Sequence, residues 1–288
     1  MTEIATQTYG LSKEFTADFT GTIQALHDAG FQGIEPLIRF EQTQGKLTKN
    51  VWTLETLKTG WEEMRSLGMT FPSVHIAVGY GWFAMPAERI VKTILMLHEQ
   101  YGIRYFVVGA PFGSLALARR WAKLASRISD AIVPHGCRLV YHNHDDEFKT
   151  IRFRGKTVDA MEAFLTLTSP DVLLQVDIGW AALAGDEVSI IKRYADRIMS
   201  IHLKDFYPAY KTGKYTRKSM PAEAFAPVGE GVIQTKEVLS LLDTLPHFAG
   251  TVIIDQDKSA GSMLEALKNG YKNVRAILDE TGRDTYHG

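Results

Sequence analysis

The sequence predicts an α/β chain of one kind, a single (β/α)8 barrel of the TIM type, and two observations carry the prediction. Short apolar runs alternate with helical patterns eight times, and alternation of this kind argues a parallel sheet with helices packed on it. Run after run also ends in residues able to bind ions or move protons. Leu139-Val140-Tyr141 leads into His142-Asn143-His144-Asp145-Asp146-Glu147, the run at 172–176 leads into Asp177, and the run at 198–201 leads into His202-Leu203-Lys204-Asp205. A barrel gathers the C-terminal ends of its strands on one face, where barrel active sites sit. A doubly wound open sheet would want a Gly-rich phosphate loop after the first strand, whereas the chain reads Tyr9-Gly10-Leu11-Ser12-Lys13 there.

Taken in order, the first strand covers 3–9 and the first helix 15–29, closed by Gly30, a typical C-terminal stop. Strand two covers 31–35, a polar irregular stretch fills 36–50, and helix two runs over 53–67 to Gly68. Strand three is 69–76, with Pro72 tolerated near a strand start or at a bulge. Helix three, 86–101, stops at Gly102, and strand four, 103–108, is followed by Gly109 and a helix over 114–135. The second half keeps the rhythm: strand 138–141, helix 158–167, strand 172–176, helix 187–195, strand 198–201, helix 235–245, strand 251–254 and a closing helix 262–278. No linker is rich enough in Pro, Gly or Ser to separate two cores, so one domain is expected over 1–288. The excursion at 206–231 is too long for an ordinary connection and carries Tyr207, Tyr210, Lys211, Lys214, Tyr215, Arg217 and Lys218. On the strand-end face it reads as a lid or an oligomer contact rather than a disordered loop.

Composition narrows the classes. With 45% hydrophobic and 23% charged residues the chain is ordinarily globular, and a net charge of -1 offers no basic footprint for nucleic acid. The lone Cys137 excludes an internal disulfide and opens an apolar run, where a buried thiol is expected. The N-terminal residues lack a basic and an apolar segment, and no stretch reaches membrane-spanning length. A cytoplasmic protein is expected, with no membrane partner and homo-oligomerisation open.

The strand-end polar residues, in barrel order, are Glu35, His75, His142 with His144, Asp177, His202 with Lys204, and Asp255 with Asp257. Side chains alternate along a strand, so His142 and His144 share a face. Imidazoles and carboxylates converging from strands five to eight suit a divalent ion such as Mn²⁺, Co²⁺, Fe²⁺ or Zn²⁺, whereas Mg²⁺ prefers more oxygens. Glu35 and His75 read as contacts to substrate hydroxyls. Trp180, with Tyr80, Trp82 and Phe83, reads as an apolar wall at the barrel mouth. No phosphate group is implied, because basic residues do not cluster in a Gly-rich setting after strands seven and eight.

Five segments in this order, Tyr141-His142-Asn143-His144-Asp145, Val176-Asp177-Ile178-Gly179-Trp180, Ser200-Ile201-His202-Leu203-Lys204-Asp205, Pro227-Val228-Gly229-Glu230-Gly231 and Asp255-Gln256-Asp257, resemble the xylose isomerase-like sugar phosphate isomerase/epimerase superfamily. They look like its branch with YHNHD on strand five. The resemblance covers essentially the whole barrel. It implies one divalent metal ion, Mn²⁺ foremost, and a keto sugar, cyclic polyol or phosphate of these as substrate. The family's Glu, Asp, His, Glu ligands fall on His142, Asp177, His202 and Asp255, so two of four positions depart from the common pattern. His144 could replace His142, and Gln256 or Asp257 could replace Asp255.

The resemblance implies a metal-stabilised enediolate, formed when a base removes the proton beside a ketone. His144, Glu147, Lys204 and Asp257 are the candidate proton carriers, and Glu35, His75, Trp180 and Gln256 the candidate substrate contacts. The expected activity is an isomerase or epimerase of a keto sugar. The alternatives are a dehydratase or keto-glycoside lyase, since the missing glutamate pair weakens two-faced proton transfer, and a barrel that only binds sugar. Metal-assisted cleavage of DNA is disfavoured by the neutral charge.

Overall fold

The computed structural model describes residues 2–39, 51–77, 83 and 85–282. In chain order the strands are β1 (Glu3–Gln7), β2 (Gly33–Glu35), β3 (Leu37–Ile38), β4 (Val74–Ile76), β5 (Tyr105–Val108), β6 (Arg138–His142), β7 (Thr150–Phe153), β8 (Lys156–Asp159), β9 (Leu173–Asp177), β10 (Ile198–Leu203), β11 (Asp205–Phe206), β12 (Phe225–Ala226) and β13 (Thr251–Ile254). The helices are α1 (Ser12–Ala17), α2 (Phe19–Asp28), α3 (Leu54–Ser66), α4 (Ala87–Tyr101), α5 (Leu115–Ile132), α6 (Ala160–Leu167), α7 (Ile178–Ala184), α8 (Glu187–Tyr194), α9 (Thr235–Ser240) and α10 (Met263–Glu280).

The main sheet is parallel, in the order β2-β1-β13-β10-β9-β6-β5-β4-β3. Its two ends, β2 and β3, are halves of one strand interrupted at Pro36, which has no N–H to give a ladder. The sheet is therefore a barrel, as the alternation predicts. Apolar residues at helical spacing, such as Ala118, Trp121, Ala125, Ile128 and Ile132 of α5, are buried in the main core. A separate cluster of Val107, Val140, Leu173 and Met199 lies apart from it. Strand alternation places Val140 on the face of His142, and Leu173 on that of Gln175 and Asp177, so this cluster is the apolar floor beneath the polar strand ends.

Predicted and observed elements agree closely, and the main differences are local. Asp18 breaks the first helix in two, because its side chain accepts from Gly21 N and caps α2. A β7–β8 hairpin occupies part of the stretch read as a connection after strand five. The unforeseen α7 starts directly after β9, with Asp177 as its N-cap. Part of the stretch read as irregular after strand two is β3, while residues 40–50 lie outside the described residues, as do Tyr80 and Trp82. Phe83 packs on Trp121, with ring centroids 4.6 Å apart. No helix among the described residues is long and apolar enough to cross a membrane.

The 206–231 excursion is packed and pinned. Asp205 accepts from four backbone N–H groups: Oδ1 from Phe206 and Ile233, and Oδ2 from Gly229 and Gly231, at 2.8–3.0 Å. Buried Glu187 takes Lys211 Nζ at 3.1 Å and Gln234 N at 2.9 Å. Met220, Phe225 and Val228 are buried, so the segment is a wall of the barrel mouth. Asp205→Ala strips acceptors from four amides and is expected to cost about 3 kcal/mol in urea unfolding, with amide exchange across 206–231 accelerated selectively. Uniform exchange with unchanged stability would contradict the clamp.

Candidate active site

Parallel register brings the predicted ligands level. His202 pairs with Asp177 across β10 and β9, and Asp255 N donates to Leu203 O, so the three residues stand at the same end of adjacent strands. His142, Asp177, His202 and Asp255 each offer a donor atom, and these atoms all lie within 4.8 Å of one another. All four side chains are buried. His202 Nδ1 stands 3.0 Å from Asp255 Oδ2 and His142 Nε2 4.0 Å from Asp177 Oδ2. Neighbouring ligands of an ion at about 2.1 Å lie ~3 Å apart, and opposite ones ~4 Å. Asp177 Oδ2 is buried without a hydrogen bond. Two imidazoles and two carboxylates, with Asp177 Oδ2 met among the described residues only by the Lys204 ammonium and the imidazole of His142, are donor types that fit a divalent cation.

Beneath this set lies Glu35, fully buried. Its Oε1 is 3.0 Å from His202 Nε2 and 3.4 Å from His75 Nδ1, while its Oε2 accepts from Ser73 Oγ and, at 2.7 Å, from Gln175 Nε2. Gln175 thereby turns its carbonyl to His142 Nδ1, 3.1 Å away. That carbonyl only accepts, so His142 carries its proton on Nδ1 and presents Nε2 as the bare nitrogen. His202 Nε2–H on Glu35 turns Nδ1 toward Asp255, so Nδ1, once its proton has left, is the nitrogen that could meet a metal, as in the carboxylate–histidine arrangement that orients metal ligands. Asn143 staples two strand ends, accepting from Asp177 N at 3.0 Å and donating to Asp177 O at 3.2 Å. Asp177 Oδ1 is held by Trp180 N at 2.9 Å, which leaves Oδ2 to the cluster.

The charges sort by partner. Burial works against ionising His202, yet Glu35 and Asp255 outweigh it and push its pKa up to about 10. Burial, then the neighbouring imidazoles, holds His142 well below the ordinary histidine value; burial and then Arg217 do the same for His144. Lys204 Nζ is 2.8 Å from Asp177 Oδ2, off the hydrogen-bonding direction, and bonds Asp255 Oδ2 at 3.0 Å and Asp257 Oδ2 at 2.8 Å. Burial, then Asp255, pushes Asp257 up to about 7 despite Lys204. Gly109 gives the imidazoles room: a Cβ there would stand 3.2 Å from His142 and 3.3 Å from His75 and His144.

Above the cluster opens a cavity of about 280 Å3, at the small end of small-molecule sites. Of the predicted residues, His75, His142, His144, Trp180, Lys204, Asp255 and Asp257 line it. Glu35 and Gln256, read from sequence as substrate contacts, do not. Glu35 lies below the ligands with both oxygens engaged, and Gln256 Nε2 is turned to Lys258 O at 3.0 Å. Glu147, read as a proton carrier, is also away from the cavity, buried under the His144 loop. Tyr9, Arg217, Phe225 and Lys258 line the cavity and escaped assignment: Tyr9, read as the end of strand one, sits in a turn just after β1, and the others come from loops and a short edge strand with no periodic signal. Arg217 Nε is buried there without a partner among the described residues. A wider groove beside α4, reached by Arg127, is lined largely by Val91, Leu95, Met96 and flanking surface charges and lacks such convergence.

The barrel that carries this site is a fold that known proteins share. Residues 23–279 match the family described as xylose isomerase-like TIM barrel. The chain belongs to that family. Among curated relatives, the inosose dehydratase of Lacticaseibacillus casei is 30% identical over 181 residues, 55% of each chain. The chain thus spans about half the length of the curated relatives it matches. Among solved structures, a sugar phosphate isomerase/epimerase from Parabacteroides distasonis superposes with a TM-score of 0.73 at 19% identity, covering 96% of this chain and 95% of that one. A probable 3-DHS dehydratase from Bacillus anthracis gives 0.69 at 12% identity, covering 95% and 98%. At those identities the structures establish the barrel of this xylose isomerase-like chain and nothing finer.

Glu147 yields a pH test. Tyr141 Oη has one proton but two oxygens in reach, Ala110 O at 2.8 Å and Glu147 Oε1 at 2.5 Å. Both contacts are served when a protonated Glu147 donates to Tyr141, which donates to Ala110. Burial pushes the Glu147 pKa up to about 7. A pKa raised on folding adds stability that is full below the unfolded value near 4.5 and is lost as pH rises through about 7. Wild-type stability relative to Glu147→Gln is therefore expected to fall by about 3 kcal/mol from pH 4.5 to 8 in urea titrations. A pH-independent difference would contradict the protonated form.

Proposed function

We propose that this xylose isomerase-like barrel is a divalent-metal-dependent lyase that removes the proton beside the ketone of a keto sugar or keto-cyclitol and then expels a β-substituent, as a dehydratase does. The single observation that carries the metal chemistry is the convergence of His142, Asp177, His202 and Asp255 under a cavity of about 280 Å3. A divalent ion held by these four, Mn²⁺ foremost and Co²⁺, Fe²⁺, Zn²⁺ or Mg²⁺ as substitutes, supplies Lewis acidity to a ketone oxygen and its neighbouring hydroxyl. Elimination is favoured over the isomerase or epimerase reading because the curated relatives carry the name inosose dehydratase, and because His142 and Asp255 stand where paired glutamates would serve both faces of a carbon.

In this reading His144 is the base. Its Nδ1 is buried without a partner among the described residues, and its depressed pKa keeps it neutral at pH 7. Asp257, with a pKa near 7 and Lys204 against it, is the acid that returns a proton to the leaving oxygen, so that water or an alcohol departs. Trp180 and Phe225 give the ring an apolar side, while Arg217 and Tyr9 receive its polar substituents.

The test is incubation of Mn²⁺-loaded protein with a panel of ketoses, inososes and 3-keto-glycosides in deuterated water. Release of water or an aglycone with an unsaturated ketone is expected, reduced about 100-fold or more in Asp177→Ala. Deuterium carried into an isomeric sugar would overturn elimination in favour of isomerisation. Sugar binding without any carbon-bound exchange would overturn both.

A further inference from the structure

β10 ends in His202-Leu203 and Lys204 follows directly, so continued alternation sets Lys204 on the same inward face as His202. The result is an ammonium 1% exposed, at 2.8, 3.0 and 2.8 Å from oxygens of Asp177, Asp255 and Asp257, and 4.5 Å from the Trp180 ring centroid. The chain makes room for it. A Cβ at position 179 would stand 2.7 Å from Lys204 Cγ and 2.8 Å from its Cβ, so Gly179 is the floor on which the lysine stem lies. Two of its three carboxylates, Asp177 and Asp255, belong to the four-residue ligand set, and both use the oxygen labelled Oδ2 toward Lys204 and toward the nearest ligand histidine.

We propose that Lys204 is a resident counter-cation of the metal centre, sharing ligand oxygens with the divalent ion and setting its affinity low. The proposal rests on the metal reading above. Three carboxylates crowded around one point repel one another, and in the metal-free protein Lys204 offsets that repulsion and keeps Asp177 and Asp255 in place. A divalent ion drawn to the same two oxygens comes within a few ångström of the ammonium, in surroundings where water screens little. Asp257 lies outside the four-residue set. It is the carboxylate that retains the ammonium when Asp177 and Asp255 turn to the ion. Linkage makes the effect reciprocal: whatever Lys204 takes from metal affinity, the metal takes from the hold on Lys204. The site thus stays formed without metal and exchanges it readily.

Titration calorimetry of Mn²⁺ into chelator-stripped wild type, Lys204→Gln, Lys204→Met, Lys204→Arg and Asp177→Asn tests this, with thermal melting of each protein with and without Mn²⁺. Wild type is expected to bind one ion and Asp177→Asn none. The Gln and Met variants are expected to bind about tenfold tighter or more, to melt lower than wild type without metal, and to gain more from it. Lys204→Arg, which keeps the charge, is expected to restore the wild-type affinity. Gln retains hydrogen bonding to the carboxylates, so it serves should Met fail to fold. Equal or weaker binding by folded Gln and Met variants, with wild type still binding, would overturn the role of Lys204 and leave the metal centre standing. Absence of Mn²⁺ binding in wild type would overturn both.

Discussion

Glu35 has no contact with solvent, and the mouth of the barrel is arranged around keeping its charge there. An isolated buried carboxylate is costly enough to change its protonation or unfold its surroundings unless it is paired and hydrogen-bonded. Burial alone would raise its pKa, yet the charge and hydrogen bond of His202, with His75 beside them, hold it well below the usual carboxylate range. Ser73 and Gln175 occupy its other oxygen. Each partner is oriented by that obligation. Gln175 can donate to Glu35 only by turning its carbonyl to His142, which fixes the tautomer there, and His202 can face Glu35 with one nitrogen only by turning the other to Asp255. One buried charge thus orients two imidazoles on two strands without touching the cavity.

The same economy runs through the rest of the bore. Apolar Val107, Val140, Leu173 and Met199 close its floor, the Glu35 and Gln175 layer follows, and the ligands and Lys204 stand above. Burial depresses His142 and His144, so they remain neutral and able to ligate or take a proton, while His202 is held as a cation by two carboxylates in the metal-free protein and would have to give up its Nδ1 proton to ligate an ion. Similar imidazoles on neighbouring strands acquire different roles from their partners. Gly109 and Gly179 matter for what they lack, one admitting three imidazoles and the other a lysine stem.

The fold was legible because its two periodicities are strong: helices closed by Gly30, Gly68 and Gly102 alternate with apolar runs, and parallel register then carries every strand end to one face. The four residues aligned with the family's metal ligands are the four that converge. Depth was not legible. Glu35 and Gln256 sit at strand ends as cavity residues do, and only packing shows that both side chains turn away. Glu147 follows two histidines in sequence, yet its oxygens meet Tyr141 and His144 N under the loop. Asp177 was readable as a strand-end carboxylate but not as the cap of α7, because the cap uses only Oδ1 and leaves Oδ2 turned to the cluster. Arg217 arrives from an irregular segment whose path is set by the tertiary anchor Asp205, and Tyr9 and Lys258 follow the ends of β1 and β13.

The central claim is that Glu35, Gln175 and Asn143 pre-set His142, Asp177, His202 and Asp255 for one divalent ion. Anomalous diffraction at the manganese edge, from crystals grown with and without Mn²⁺, measures this most directly. The account predicts one strong peak within bonding distance of His142 Nε2, Asp177 Oδ2, His202 Nδ1 and Asp255, with the Glu35 contacts to His202 and Gln175 unchanged between the two crystals. A peak elsewhere in the barrel mouth, or ligands that reach the ion only after Glu35 has lost these partners, would contradict it.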